Sequence, residues 1–392
     1  MSADYLVIAN LFLLLFLGLA DNQMIAALLP VFVKSFHVSI QEAGLMVVVY
    51  SVGAALASFV SGALSDYWGR RRFLQGGMAL FAAASGLAWQ SASFKGLIAA
   101  RALTGLAAGT LSTCTIAFAG DWFAYEVRGR AIGLITSAYF VAPVAGVPAA
   151  AFIADRFGWR RTFFAVAAAA VVVALASLTL PSEVPKVPTA VPRWRATLGT
   201  FRGFFARRDT SAALGIAFMV SGGLVGFITY IGQWLNAGFA LSTTTIGLIF
   251  AYGGAMAVTG APLGGILSDR HGKRSVSLAS SLIMALAVSA LPFLGWGVGL
   301  LAAFGVVSLA AAFRQGPLTA LMTEMVPTAE RGTFIALRNI SSQLGIGATV
   351  FVGGILYEKS GYGAVTWLCA AMTALVAVLL FTHIMEPQPS RQ

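Results

Sequence analysis

Twelve long apolar stretches run through this chain of 392 residues, at 6–33, 42–65, 73–92, 96–119, 131–153, 162–180, 210–235, 243–267, 275–294, 298–325, 332–356 and 363–385. A helix of about 20 apolar residues crosses the hydrocarbon core of a bilayer. In lipid, backbone polar groups are satisfied only inside helices or closed barrels. A spanning barrel would read as short segments of alternating polarity, and no such segments occur. The expected fold class is therefore all-α and membrane-embedded, with twelve transmembrane helices. Only 10% of the residues are charged, against roughly a quarter in a soluble domain, so the chain has too few polar groups to cover a water-exposed globule. Its 43 glycines suit the close helix packing that lipid favours.

The formal charge of +11 invites a nucleic-acid reading, but the distribution of that charge excludes it. With the loop at 66–72 placed in the cytoplasm, sixteen Lys and Arg fall on that side and six on the other, the remaining three being Arg101, Arg314 and Arg338 within apolar stretches. That bias is the positive-inside pattern, and it places both termini in the cytoplasm. The expected location is a bacterial-type inner membrane. The first apolar stretch lacks a basic leader and is too long for a signal peptide, so it reads as a retained helix. Cys114 and Cys369 both fall inside apolar stretches, where neither suits an extracellular disulfide.

The chain also repeats itself. A shift of 203 residues carries Gly62, Ser65, Asp66, Gly69 and Arg71 onto Gly265, Ser268, Asp269, Gly272 and Arg274. The same shift carries Asp121 to Glu324, Arg128 to Arg331, and Gly158 to Gly361. One constant offset over about a hundred residues marks an internal duplication. Six helices per repeat is an even number, so the halves are parallel repeats related by an axis along the membrane normal. The expected organisation is a six-helix bundle at 1–180, a cytoplasmic linker at 181–209 and a second six-helix bundle at 210–392. The linker begins with four prolines and continues with six basic residues. It reads either as a tether or as a basic amphipathic helix on the membrane surface.

Four ionisable residues lie deep within apolar stretches: Asp21, Arg101, Arg314 and Arg338. A charge at mid-bilayer costs about 2.5–3.5 kcal/mol on insertion scales, so each requires a reason. Asp21 lies about 22 Å along the first helix. Burial disfavours a charged carboxylate and a nearby cation favours it, so Asp21 is either a proton carrier or a structural ion-paired acid. Its depth allows a pair with Arg101. Arg338 opens the run Arg338, Asn339, Ser341, Ser342, Gln343, which is too polar to face lipid and is expected to line a watery cavity. None of the four charges is repeated: the shift gives Leu111 and Ile135 for the two later arginines, and Leu224 and Phe304 for Asp21 and Arg101. The repeated features are thus scaffold, and the unrepeated charges belong to this protein's own work. Gln23, Tyr230 and Gln233 are further candidates for a solute site, with helix packing as the alternative.

No phosphate-binding loop, nucleophile elbow or dinucleotide fingerprint is present. The three histidines have no metal-ligand spacing. No cofactor is expected, and neither is an enzyme.

The loop pattern G-x-L-x-D-x-x-G-R-R, present as Gly62, Leu64, Asp66, Gly69, Arg70 and Arg71, resembles the signature between the second and third helices of the major facilitator superfamily. The family often has Arg after the Asp. Here that place is Tyr67, and the second copy restores it as Arg270. The resemblance extends over the whole chain and implies twelve helices in two bundles. In similar proteins the signature joins a carboxylate at the end of the fourth helix, which Asp121 matches. The resemblance thus implies a conformational latch of Asp66, Arg70 and Asp121, echoed by Asp269, Lys273 and Glu324, with simple anchoring of the loops as the alternative. Gly62 and Gly265 are expected to admit a close neighbouring helix. Arg101 followed by Gly105 resembles a fourth-helix motif that is linked to proton coupling in similar proteins. The nearest pattern is that of proton-coupled bacterial members of the drug-antiporter type. Their fifth-helix Gly-Pro is here Ala142-Pro143.

The expected function is secondary active transport of a small organic, anionic solute, coupled to protons, with the two halves rocking to alternate access. Arg314, Arg338, Asn339 and Gln343 are the expected solute contacts, because Arg grips carboxylate or phosphate in a two-pronged fork. The alternatives are a drug/proton antiporter exporting amphipathic compounds and a non-transporting sensor on the same fold. The expected partners are a small-molecule solute, protons and the bilayer, with the chain acting as a monomer.

Overall fold

The computed structural model describes residues 2–182, 194–327 and 330–384, and within these ranges the side chains of 2, 3, 63, 66, 125 and 194–198 are excepted. Among the described residues the structure is helical, with eleven helices long and apolar enough to cross a membrane. The first bundle runs α1 (Ser2–Phe36), α2 (Ile40–Trp68), α3 (Arg70–Gln90), α4 (Phe94–Trp122), α5 (Tyr125–Thr136), α6 (Ala138–Val141), a π-helical turn (Ala142–Gly146), α7 (Val147–Phe157) and α8 (Trp159–Ser177). The stretch from α5 to α7 forms one interrupted span. After α9 (Trp194–Ala206) come α10 (Arg208–Phe239), α11 (Thr243–His271), α12 (Lys273–Ala290), α13 (Val298–Glu324), α14 (Arg331–Ser360) and α15 (Tyr362–His383). Helix α3 completes the twelve. Its three N-terminal arginines and flanking polar residues dilute its hydropathy, but its length of 21 residues suffices to span.

Local chemistry sets the ends. Ser39 and Glu42 form a reciprocal capping box at α2, and the Ser93 hydroxyl accepts the Gly96 amide at the start of α4; both satisfy orphan donors. The turns between helices show the duplication in their geometry. Gly69 and Gly272 both have φ of 87°, and Gly158 and Gly361 have 83° and 77°. These are left-handed conformations that glycine adopts without a steric penalty, and each pair is separated by the 203-residue shift.

The chain divides into two compact units, Met1–Pro192 with Ile231–Ala251, and Arg193–Tyr230 with Tyr252–Gln392. Ile231–Ala251 groups with the first unit because of contacts such as Gly232 on the Ala26 carbonyl and the Thr244 hydroxyl donating to Asp155 Oδ2 at 2.7 Å. The first core gathers Leu14, Leu74, Phe81, Leu111, Phe118 and Ile135. The second gathers Phe204, Leu214, Leu321, Phe334, Leu337 and Leu380. Phe204 lies on α9, is only 1% exposed, and meets the Phe334 ring edge-on at 5.4 Å. The second part of the linker is therefore a helix docked on α14 rather than a plain tether. Its first part lies outside the described residues.

Lipid offers little hydrophobic drive for helix association, so packing depends on close approach at small residues. A Cβ on Gly105 would come within 2.7 Å of the Tyr50 Cα, and one on Gly109 within 2.7 Å of the Ala54 Cα. Real Cβ atoms do not come so close, so α2 and α4 depend on both glycines. The expectation for Gly62 is corrected here. A Cβ there would make an ordinary contact of 3.7 Å with Thr113, and one on Gly265 would meet nothing within 4 Å. The close approaches belong instead to Gly53 against Ala102 and to Gly264 against Phe313.

Candidate functional site

In the first unit Asp21 and Arg101 form a salt bridge in which both side chains are completely buried. Arg101 Nη1 donates to Asp21 Oδ2. The close packing of α2 on α4 brings a third residue to the pair. Gly105 lets the Tyr50 backbone approach, and the Arg101 guanidinium then sits 4.7 Å from the centroid of the Tyr50 ring. Tyr50 Oη donates to the Gly18 carbonyl at 3.2 Å, three residues before Asp21. Desolvated cation–π contacts of this kind contribute up to about 2 kcal/mol. Tyr50 was not legible in the sequence, where it is one aromatic in the run LMVVVYSVGAALA. Among the described residues, Asp21 Oδ1 and Arg101 Nε and Nη2 have no hydrogen-bond partner. Asn22 and Gln233 also keep buried carbonyl oxygens without partners among the described residues, and Gln23 is half-buried.

In the second unit Arg314 is 1% exposed. Its Nε, Nη1 and Nη2 have no hydrogen-bond partner among the described residues. A buried cation without a counter-charge is strongly unfavourable. Arg338 on α14 donates to the Thr319 hydroxyl of α13 at 3.1 Å. Gln343 Oε1 is buried without a partner among the described residues, and Asn339 is half-buried. The polar run on α14 does not all serve one purpose. Ser341 donates to the Leu214 carbonyl at 2.8 Å and Ser342 to the Ala217 carbonyl at 3.4 Å, so both tie α14 to α10. Tyr230 is likewise a packing residue in this structure. It is fully buried, its hydroxyl donates to the Val350 carbonyl at 2.7 Å, and its ring packs on Tyr357 at 5.8 Å.

The signature charges pair as the repeat requires. Arg70 meets Asp121 at 3.0 Å, and Lys273 meets Glu324 at 2.5 Å. Arg71 donates to the Leu178 carbonyl at 2.8 Å, and its counterpart Arg274 donates to the Phe381 carbonyl at 2.5 Å. The Asp66 side chain lies outside the described residues. Asp269 is exposed and makes no ion pair among the described residues, so the expected three-member echo reduces to Lys273 and Glu324.

The sequence profile of the Major Facilitator Superfamily matches residues 11–236 and again 213–392, so that both halves are covered. The chain belongs to the major facilitator superfamily. Among its relatives in the superfamily is a chloramphenicol resistance protein of Streptomyces lividans, 25% identical over 375 residues that cover 91% of each chain. Another is the uncharacterized MFS-type transporter YceJ of Bacillus subtilis (strain 168), 26% identical over 364 residues, 92% of this chain and 91% of that one. The crystal structure of a D-xylose-proton symporter superposes with a TM-score of 0.78 over 98% of both chains at 19% identity, which establishes the shared fold. The protein is a multi-pass transporter of the superfamily, not an enzyme.

Proposed function

We propose that this superfamily transporter moves a small organic anion across a bacterial-type inner membrane, coupled to protons, by alternating access. The observation that carries the anion part is Arg314, whose three nitrogens are buried and have no partner among the described residues. Arginine binds carboxylate and phosphate through parallel hydrogen bonds, and Arg338, Asn339 and Gln343 would supply further polar contacts from α14. The proton part rests on Asp21. Its carboxylate is buried against one cation, so taking up a proton would break that pair and leave Arg101 held by the Tyr50 ring it already faces. The positive-inside count supports cytoplasmic termini.

The test is uptake of a panel of organic acids into proteoliposomes under an imposed pH gradient. Arg314→Met removes an unpaired buried charge at similar volume. The fold should hold its stability or gain about 1 kcal/mol, while organic-acid uptake is lost. Unchanged uptake in that variant would defeat the anion assignment.

The paired charges at the repeated turns are assigned to a conformational latch. Each pair is partly exposed, so each contributes only about 0–1 kcal/mol to stability. Asp121→Asn combined with Glu324→Gln is expected to leave the melting temperature nearly unchanged and to slow uptake several-fold. A large drop in melting temperature with a normal rate per folded molecule would make these charges loop anchors.

A second reading is export of amphipathic drugs, although the fifth-helix Gly-Pro of such antiporters is here Ala142-Pro143. The relationship to a chloramphenicol resistance protein agrees with that reading. A resistance screen in a pump-deficient host separates the two, since drug export predicts broad, modest protection.

A further inference from the structure

The first unit carries a groove of about 560 Å³ beside its charged turn, between the end of α2, the start of α3 and the middle of α4. Its lining includes Trp68, Arg72, Phe73, Leu80 and Thr110, with Gly76 and Gly77 as its floor. The groove exists because side chains are missing. A Cβ on Gly76 would meet nothing within 4 Å, and Thr110 is short. One wall is the Trp68 ring stacked on Phe73 at 6.3 Å.

The three successive arginines of this turn have three different fates. Arg70 pairs with Asp121, and Arg71 binds Ser182 and the Leu178 carbonyl. Arg72 is exposed and has no hydrogen bond or ion pair among the described residues, yet it stands in the groove lining. The combination is an uncommitted cation at the level of an interfacial tryptophan, with an apolar trough running about 12 Å along α3 from Arg72 to Leu80. The second half of the chain does not repeat it. The 203-residue shift replaces Arg72 by Ser275, and Thr110 by the bulky Phe313. The scaffold of the turn is duplicated, but the groove chemistry is particular to the first unit.

We propose that this groove is a binding site for an anionic phospholipid. The phosphate sits on Arg72, the glycerol region lies against Trp68, and one acyl chain lies over Gly76 and Gly77 toward Leu80. The bare phosphate would be held by one exposed arginine only, so the acyl chain is needed for binding.

The experiment compares melting temperature and native mass spectra of the purified transporter with dioleoyl phosphatidylglycerol, with dioleoyl phosphatidylcholine, and with glycerol phosphate alone. Phosphatidylglycerol should raise the melting temperature by several degrees and remain bound in the mass spectrum, whereas the other two should not. Arg72→Gln should abolish that increment, and Arg72→Lys should restore part of it. Gly76→Leu fills open space, so the protein should fold and lose the bound lipid. An increment that survives in both Arg72→Gln and Gly76→Leu would overturn the site. Equal stabilisation by phosphatidylcholine would overturn the headgroup assignment, and equal stabilisation by glycerol phosphate would overturn the role of the acyl chain.

Discussion

Asp21→Asn is expected to abolish solute accumulation driven by a pH gradient while leaving downhill exchange of solute intact. The two assays run on the same proteoliposomes. Accumulation at the wild-type level in this variant would remove Asp21 from the proton path. Stability should respond in an informative way. Removing one member of a buried pair typically costs about 3–5 kcal/mol, because the other charge is left uncompensated. Arg101→Met should approach that figure in the melting transition. Asp21→Asn should cost less, because the Tyr50 ring 4.7 Å from the guanidinium centre still faces the remaining cation, and such contacts contribute about 0.5–2 kcal/mol. The double variant Asp21→Leu with Arg101→Met should recover most of the lost stability, as replacing a buried ion pair by apolar groups often does, without recovering gradient-driven transport. That separation of folding from coupling would distinguish a working acid from a structural one.

The second large effect is expected at Gly105. Even alanine there brings its Cβ within 2.7 Å of the Tyr50 Cα and 2.8 Å of the Tyr50 carbonyl carbon. These are backbone atoms that cannot rotate away, so α2 must separate from α4. Overpacking typically costs about 1–3 kcal/mol, and the separation also withdraws Tyr50 from Arg101. Gly105→Ala should therefore lower both the folded yield in detergent and gradient-driven uptake. Gly120 on the same helix has nothing within 4 Å of its Cβ position. Gly120→Ala should be neutral or stabilising by about 0.5–1 kcal/mol, through helix propensity alone. Equal behaviour of the two variants would show that the α2–α4 contact does not depend on a bare backbone.

Legibility in the sequence divides along physical lines. Length and apolarity mark a spanning helix, and the constant shift marks a duplication, so the twelve helices could be read from spacing, whereas the pairs Arg70–Asp121 and Lys273–Glu324 followed from the resemblance of the loop signature. Asp21 and Arg101 stood out because charge in an apolar run is costly. Rotation of each helix about its own axis was not legible. A soluble helix advertises its buried face by one apolar stripe, but a membrane helix is apolar all round, so nothing in α2 distinguishes Tyr50 from its neighbours. The same ambiguity hid the buried role of Tyr230, the use of Ser341 and Ser342 against α10, and the choice of Gly53 and Gly264 over Gly62 and Gly265 as points of close approach. For Phe204, the basic residues around it drew attention to the membrane surface and away from the core it enters.

The wide turn at Ala142–Gly146 also bears on the rotational phase of α7. An α-helix advances about 100° per residue, and a π-type turn accommodates one additional residue. Deleting a single residue within this turn would therefore close it to a regular helix with little change in the phase of α7, leaving Ala150 and Ala154 buried and Phe152 exposed. A deletion inside α7 itself has no wide turn to absorb it and would swing the residues beyond it by about 100°. The chain thus carries a slack residue beside Pro143, and a one-residue deletion should be tolerated better there than a few positions further on.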